Sequence, residues 1–139
     1  MRSPLAVALT LFVLAACTPP APLPPAPVEL RLELDEYSFE LSGTPEPGRV
    51  VVEVDNVGAL DHEVVLVILP EDVPPILEQL RSEQRRTVAT LAYLPPRAPG
   101  ERGSFALDLE PGRYAFLCFV QDDDGPSHAL KGMALELRV

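Results

Sequence analysis

From Val28 to Leu34 every second residue is apolar, with Glu29, Arg31 and Glu33 between, and the alternation resumes with Tyr37, Phe39 and Leu41. A period of two puts one set of side chains on one face of a sheet, so both stretches predict half-buried strands. Thr44-Pro45-Glu46-Pro47-Gly48 reads as a turn, residues 50–54 as a third strand, and Asn56-Val57-Gly58 as the break after it. Residues 62–69 form a nearly continuous apolar run, which predicts a central strand buried on both faces. Phe105, Leu107 and Leu109 alternate again, Pro111-Gly112 turns the chain, and residues 114–120 and 133–139 supply two more strands. A series of this kind predicts an all-β fold, a β-sandwich of about seven to eight strands.

One insertion departs from the pattern. Over residues 74–87, Ile76, Leu77, Leu80 and Gln84 recur at helical spacing, with Glu78 three before Arg81 and Glu83 three before Arg86. This predicts one short helix packed on the sandwich edge, burying Leu77 and Leu80. The proline-rich stretch 94–100 that follows is expected to be an irregular loop leading back to the sheet.

The N-terminus has a different character. A short charged start with Arg2, the apolar run 5–14 and the small residues Ala15 and Ala16 have the form of an export signal over residues 1–16, too short to span a bilayer. Residues 17–27 follow as a linker. Six of the chain's 17 prolines fall in residues 18–27, which predicts an extended polyproline spacer. At about 3.1 Å per residue it would reach on the order of 30 Å. Residues 28–139 have one domain's length.

The chain carries 11 basic and 21 acidic residues, a formal charge of -10. Loss of residues 1–16 removes Arg2 alone among these and makes it -11. Such a surface repels nucleic acid and anionic lipid and suits cations or basic protein patches. The same charge also serves simple solubility.

The chemistry lies in a few rare residues. The chain has two His, two Cys and two Met. Setting aside Met1 and Cys17, what remains is His62, Cys118, His128 and Met133, the last three spaced Cys-x9-His-x4-Met. Two imidazoles and a thiolate in a plane, with a thioether as weak fourth ligand, suit mononuclear blue copper. Each residue also has a plainer use: His62 as a satisfied core histidine, Met133 as a gap filler and Cys118 as a small buried hydrophobe. Asp122, Asp123 and Asp124 lie in the same loop, but the oxygen ligands that a calcium loop requires are missing beyond them. As charges near a metal they are expected to favour its more oxidised state.

Two resemblances can be named on these residues. Leu14-Ala15-Ala16-Cys17 resembles the lipobox of bacterial lipoproteins, which implies lipidation of Cys17, attachment to a membrane through that lipid, and a place in the bacterial cell envelope. Residues 28–139 resemble the cupredoxins, the small blue-copper proteins, through Asn56-Val57-Gly58-Ala59-Leu60-Asp61-His62 and through Pro111-Gly112-Arg113-Tyr114 leading by Cys118 to Gly132-Met133. The resemblance implies a Greek-key β-sandwich binding one type 1 copper through His62, Cys118, His128 and Met133. The step from Cys118 to His128 is longer than in plastocyanin-like members, and Gly125-Pro126 is placed to turn the loop back.

The function so implied is electron transfer to a redox partner protein with a basic docking patch, by a monomer that is not an enzyme. Leu117 stands where copper oxidases and nitrite reductases carry a histidine leading to a further copper. His128 is the expected exit for the electron, with Pro126, Ala129 and Leu130 as an apolar docking patch beside it. Copper buffering or delivery, and a metal-free interaction module built on the same sandwich, are the competing readings.

Overall fold

The computed structural model describes residues 23–123 and 125–139. The export signal, Cys17 and most of the proline-rich linker lie outside the described residues. Leu23 to Pro27 carry no regular structure and are exposed. Among the described residues no helix is long and apolar enough to cross a membrane.

Eight strands form two four-stranded sheets. The first sheet holds β1 (Val28–Asp35), β2 (Ser38–Ser42), β3 (Gly48–Asn56) and β6 (Arg102–Leu109), in the order β2-β1-β3-β6, with β1 and β3 parallel. The second holds β4 (His62–Leu69), β5 (Ala89–Arg97), β7 (Arg113–Leu117) and β8 (Ala134–Arg138), in the order β5-β4-β7-β8 and antiparallel throughout. The alternation read from the sequence is realised directly: Leu30, Leu32 and Leu34 face the interior with Val50, Val52 and Val54, while Glu29, Arg31 and Glu53 face out.

The central strands of the second sheet, β4 and β7, are buried on both faces. Val64 and Leu66 of β4 join the core between the sheets, whereas Val65, Val67 and Leu69 join an outer cluster with Ala115 and Leu117 of β7. Two short helices, α1 (Ile76–Arg81) and α2 (His128–Lys131), lie against that outer cluster through Ile76, Leu80 and Ala129. The continuous apolar run of β4 thus follows from two packed faces.

Three expectations are corrected. The helix is confined to Ile76–Arg81, and it buries Ile76 and Gln79 while Leu77 and Leu80 are only half-buried. Pro75 precedes its first residue, Ser82 after it is extended, and Arg86 pairs with Asp72, not with Glu83. The expected loop 94–100 begins inside a strand, since Leu94 to Arg97 end β5. Prolines are admitted there because β5 is an edge strand and its register against β4 shifts between His62 and Val64, so that Pro95 and Pro96 fall at an irregularity where no ladder donor is needed. The strand expected over residues 114–120 ends at Leu117, because Cys118 to Val120 turn their backbone to the returning loop.

Candidate metal centre

His62 opens β4, and two side chains of the first sheet's end shape the loop that delivers it. Asn56, fully buried, donates from Nδ2 to the carbonyls of Leu60 (2.8 Å) and Arg97 (2.7 Å) and accepts from Gly58 N–H at 3.0 Å. Glu36, in the β1–β2 turn, accepts at Oε1 from the amides of Ala59 (2.7 Å) and Leu60 (2.8 Å). Its carboxylate passes so close to Gly58 that a Cβ there would stand 2.6 Å from Oε1, so a side chain at that position would displace the carboxylate. The same oxygen lies 3.3 Å from His62 Nε2.

The long step from Cys118 to His128 closes on itself. Gln121 and Ser127 form a bridge, His128 N–H donates to the Val120 carbonyl at 2.8 Å and Ala129 N–H to that of Cys118 at 2.7 Å. The excursion is therefore a small hairpin whose feet are the two donor-bearing segments. The α2 turn then carries His128 inward and ends at Gly132, whose φ of 121° suits glycine. Met133 follows, its N–H donating to the His128 carbonyl (2.9 Å) and its carbonyl accepting from Cys118 N–H (3.3 Å).

These segments bring three donors together. Cys118 Sγ lies 3.6 Å from His128 Nδ1 and 3.9 Å from His62 Nδ1, and the two Nδ1 atoms are 3.0 Å apart. All three residues and Met133 are 0% exposed. Bonds of about 2.0 Å to imidazole nitrogen and about 2.3 Å to thiolate would set trigonal donors about 3.5 Å (N to N) and 3.7 Å (N to S) apart. The two N to S sides, at 3.6 and 3.9 Å, have that size and the N to N side, at 3.0 Å, is shorter; His62, Cys118 and His128 can hold one ion. Met133 belongs to the same core cluster as Cys118.

Protonation states argue the same way. His128 Nε2 lies 2.8 Å from Asp122 Oδ1, and Asp122 is also held by Lys131 and, at 2.8 Å, by the Tyr37 hydroxyl. The Lys131 ammonium first, then His128 and Tyr37, keep the Asp122 carboxyl well below its usual range. Burial opposes the charge of Glu36, but hydrogen bonds with Asp35, the Leu60 and Ala59 amides and His62 outweigh it and bring its pKa down to about 2. Both carboxylates are ionised acceptors, so both Nε2 atoms carry hydrogen and donate. With both rings neutral, the two Nδ1 lone pairs would face one another at 3.0 Å, a repulsive contact that a cation between them and the sulfur would relieve. An imidazole whose outer nitrogen donates to a carboxylate is the usual arrangement of a metal-bound histidine.

Burial lowers the His62 pKa, helped by His128 and resisted by Glu36, which keeps the ring neutral and able to ligate. Burial likewise pushes the Cys118 thiol up, so that thiolate forms there when a cation is at hand. Glu63 steadies the sulfur: its N–H points to Sγ at 3.4 Å and its Oε1 accepts from Phe119 N–H at 3.0 Å.

The structure thus brings His62, Cys118 and His128 together and packs Met133 behind them. It does not expose His128 or Ala129, both buried, so the expected docking patch loses Ala129 and the expected exit His128 is covered; the α2 turn folds over that edge and Asp122 covers the ring's outer nitrogen. Sequence reasoning missed Glu36, Tyr37, Lys131 and Asn56, and placed Asp122 only as a nearby charge. A metal-bound imidazole asks for an acceptor on its other nitrogen. That signals two carboxylates, but among 21 acidic residues it does not say which.

No protein-family model matches the chain, and no curated protein matches it. Solved structures do. A dithionite-reduced auracyanin from the photosynthetic bacterium Roseiflexus castenholzii matches 82% of this chain and 98% of its own, with a TM-score of 0.56 at 21% identity. Auracyanin B matches 84% of this chain and 91% of its own, with a TM-score of 0.53 at 24% identity. Auracyanin A of Chloroflexus aurantiacus, described as a "blue" copper protein, matches 68% of this chain and 89% of its own at 17% identity, with a TM-score of 0.47, a likeness too slight to carry weight. The first two show the fold: the chain is a cupredoxin-like β-sandwich.

Proposed function

We propose that this protein is a mononuclear type 1 copper protein that carries single electrons, held at a membrane of the bacterial cell envelope by a lipid on Cys17. The observation that carries the reading is the convergence of His62 Nδ1, His128 Nδ1 and Cys118 Sγ, with both outer imidazole nitrogens committed to carboxylates. Two imidazoles and a thiolate, with a weak thioether beyond, are the donor set of blue copper. His62, Cys118 and His128 would hold the ion and Met133 would stand as the weak fourth ligand, supported by its burial beside Cys118 and its backbone bonds to Cys118 and His128.

Bound copper supplies a one-electron exchange between its two oxidation states. The chain does the rest. Glu36 and Asp122 fix the ring orientations, Glu63 steadies the sulfur, and full burial keeps water from the donors. Among the described residues this is the one such cluster, and Leu117 gives the thiolate no imidazole leading to a further metal. That favours a carrier over an enzyme. A chain of charge -10 favours a redox partner with a basic face. The Roseiflexus auracyanin, of the same fold, was solved in a dithionite-reduced state, which accords with a redox role.

Addition of Cu(II) to the purified protein tests the reading. It expects an intense blue thiolate-to-copper absorption that disappears on reduction and returns on reoxidation. A colourless protein defeats the copper assignment; ready loss of copper to a metal-free acceptor protein points to delivery instead of electron carriage.

A further inference from the structure

On the outer face of the second sheet, away from the metal donors, α1 and α2 leave an open cavity of about 630 Å³ between them. Its walls are Val67, Leu117, Phe119 and Leu130, and its polar groups include Gln79 and Arg85. The size is that of a small-molecule site, for which about 300–1,000 Å³ is usual. Apolar walls with a few placed polar groups are the usual composition as well.

Two features mark its polar lining. Gln79 is 6% exposed, and its Oε1 accepts from Arg86 N–H at 3.4 Å, yet its Nε2 finds no acceptor among the described residues. A buried donor without an acceptor is uncommon. The second is charge. In a chain of net charge -10, the rim of this cavity carries two adjacent arginines, Arg85 and Arg86; Arg86 is paired with Asp72, and Arg85 has no acidic partner among the described residues. Phe119 (42% exposed) and Leu130 (36%) stand at the same opening, both large apolar side chains in water.

We propose that this cavity binds a small amphipathic anion: an apolar, ring-sized body against Val67, Leu117, Phe119 and Leu130, with an anionic acceptor group reaching Arg85. The site stands apart from the metal reading, since none of His62, Cys118, His128 and Met133 lines it. It is nonetheless close in sequence to the donors, because Leu117 and Phe119 flank Cys118 and the lining residue Ser127 precedes His128.

Two fluorescent probes with the same ring system test it, anilinonaphthalene sulfonate, which is anionic, and phenylnaphthylamine, which is neutral. Titration of the purified protein, with and without added copper, should show saturable binding at a single site, tighter for the sulfonate in both cases. Arg85→Glu should weaken the sulfonate about fivefold or more while leaving the neutral probe within about twofold. Thr90→Trp, at an exposed lining position of the edge strand β5, should remove binding of both by filling the opening. The amide resonances of Leu117 and Phe119 should move with the probe. Unsaturable binding, equal affinity for the two probes, or titrations unchanged by both substitutions would overturn the proposal, the last because probe would then be binding elsewhere.

Discussion

The two sheets are built from similar strands and do different work. The first has one dry face and one wet one: Leu30, Leu32, Leu34, Val50, Val52 and Val54 point inward, and the outer face is a lattice of charges in which Arg31 and Arg102 both reach Asp55. The second has central strands, β4 and β7, that are dry on both faces, and it places His62 and Cys118 at one end of them. Yet the donors are oriented by the first sheet too, since Glu36 and Tyr37 come from its β1–β2 turn. A fully buried sheet gives donors a rigid, water-free setting. A half-wet sheet can hold ionised carboxylates at its edge, and these aim the rings.

The division predicts that chemistry and stability can be damaged separately. The largest effect is expected at the second sheet: Cys118→Ser should abolish the blue absorption with copper present while circular dichroism keeps the β-sheet spectrum. Serine is close in size and can keep the Glu63 amide as a donor, so the fold has little reason to fail. Retention of the band would remove Cys118 from the centre. Next comes Leu32→Ala, deep in the first sheet and 0% exposed. It should lower unfolding free energy by about 2–5 kcal/mol, the range for a buried Leu truncation. The spectrum of the copper-loaded protein should not change. A shifted spectrum would mean that the sheets do not divide the work.

A sharper cut lies between the two orienting carboxylates. Glu36→Gln and Asp122→Asn each replace a charged acceptor by a neutral one on the outer nitrogen of one ring. Loss of such a partner typically lowers metal affinity by about 10–100-fold. Asp122→Asn should also raise the reduction potential, because a negative charge next to a ligand favours the oxidised ion. Glu36→Gln should do more to the loop before His62, since Glu36 also holds the amides of Ala59 and Leu60. Competition with a copper chelator and voltammetry separate these outcomes; equal, negligible effects would leave the carboxylates without an orienting role.

Much of this arrangement was legible in the sequence, and the reason is period. Strands such as β1 and β4 were readable because their apolar positions repeat at two or run unbroken, and each pattern reports how many faces are packed. His62, Cys118, His128 and Met133 were readable because they are rare. β5 was not: Pro95 and Pro96 argue for a loop unless one knows that the strand is at an edge and slips against β4, which is a tertiary fact. The return of His128 was signalled only by Gly125-Pro126, and its closure rests on the bonds of His128 to Val120 and Ala129 to Cys118, which no spacing encodes. Burial of Ala129 and His128 escaped for the same reason, because α2 is a single turn set by its contacts rather than by periodicity.

The smallest effect is expected on the wet face of the first sheet. The Arg102 side chain is 78% exposed and its Nε lies 3.2 Å from Asp55 Oδ2, an oxygen that Arg31 also reaches at 3.0 Å. An exposed pair is worth about 0–1 kcal/mol because water screens it and two long side chains must be held in place. Here Asp55 keeps a second arginine when the first is removed, so Arg102→Ala should change unfolding free energy by no more than about 0.5 kcal/mol, less still in high salt. Copper affinity and the blue absorption should be untouched. A loss well above 1 kcal/mol in chemical denaturation would show that Arg102 packs its stem on the sheet as a covering group. The first sheet would then resemble the central strands of the second, dry on both faces, and an open face would no longer explain why the donors lie on the second sheet.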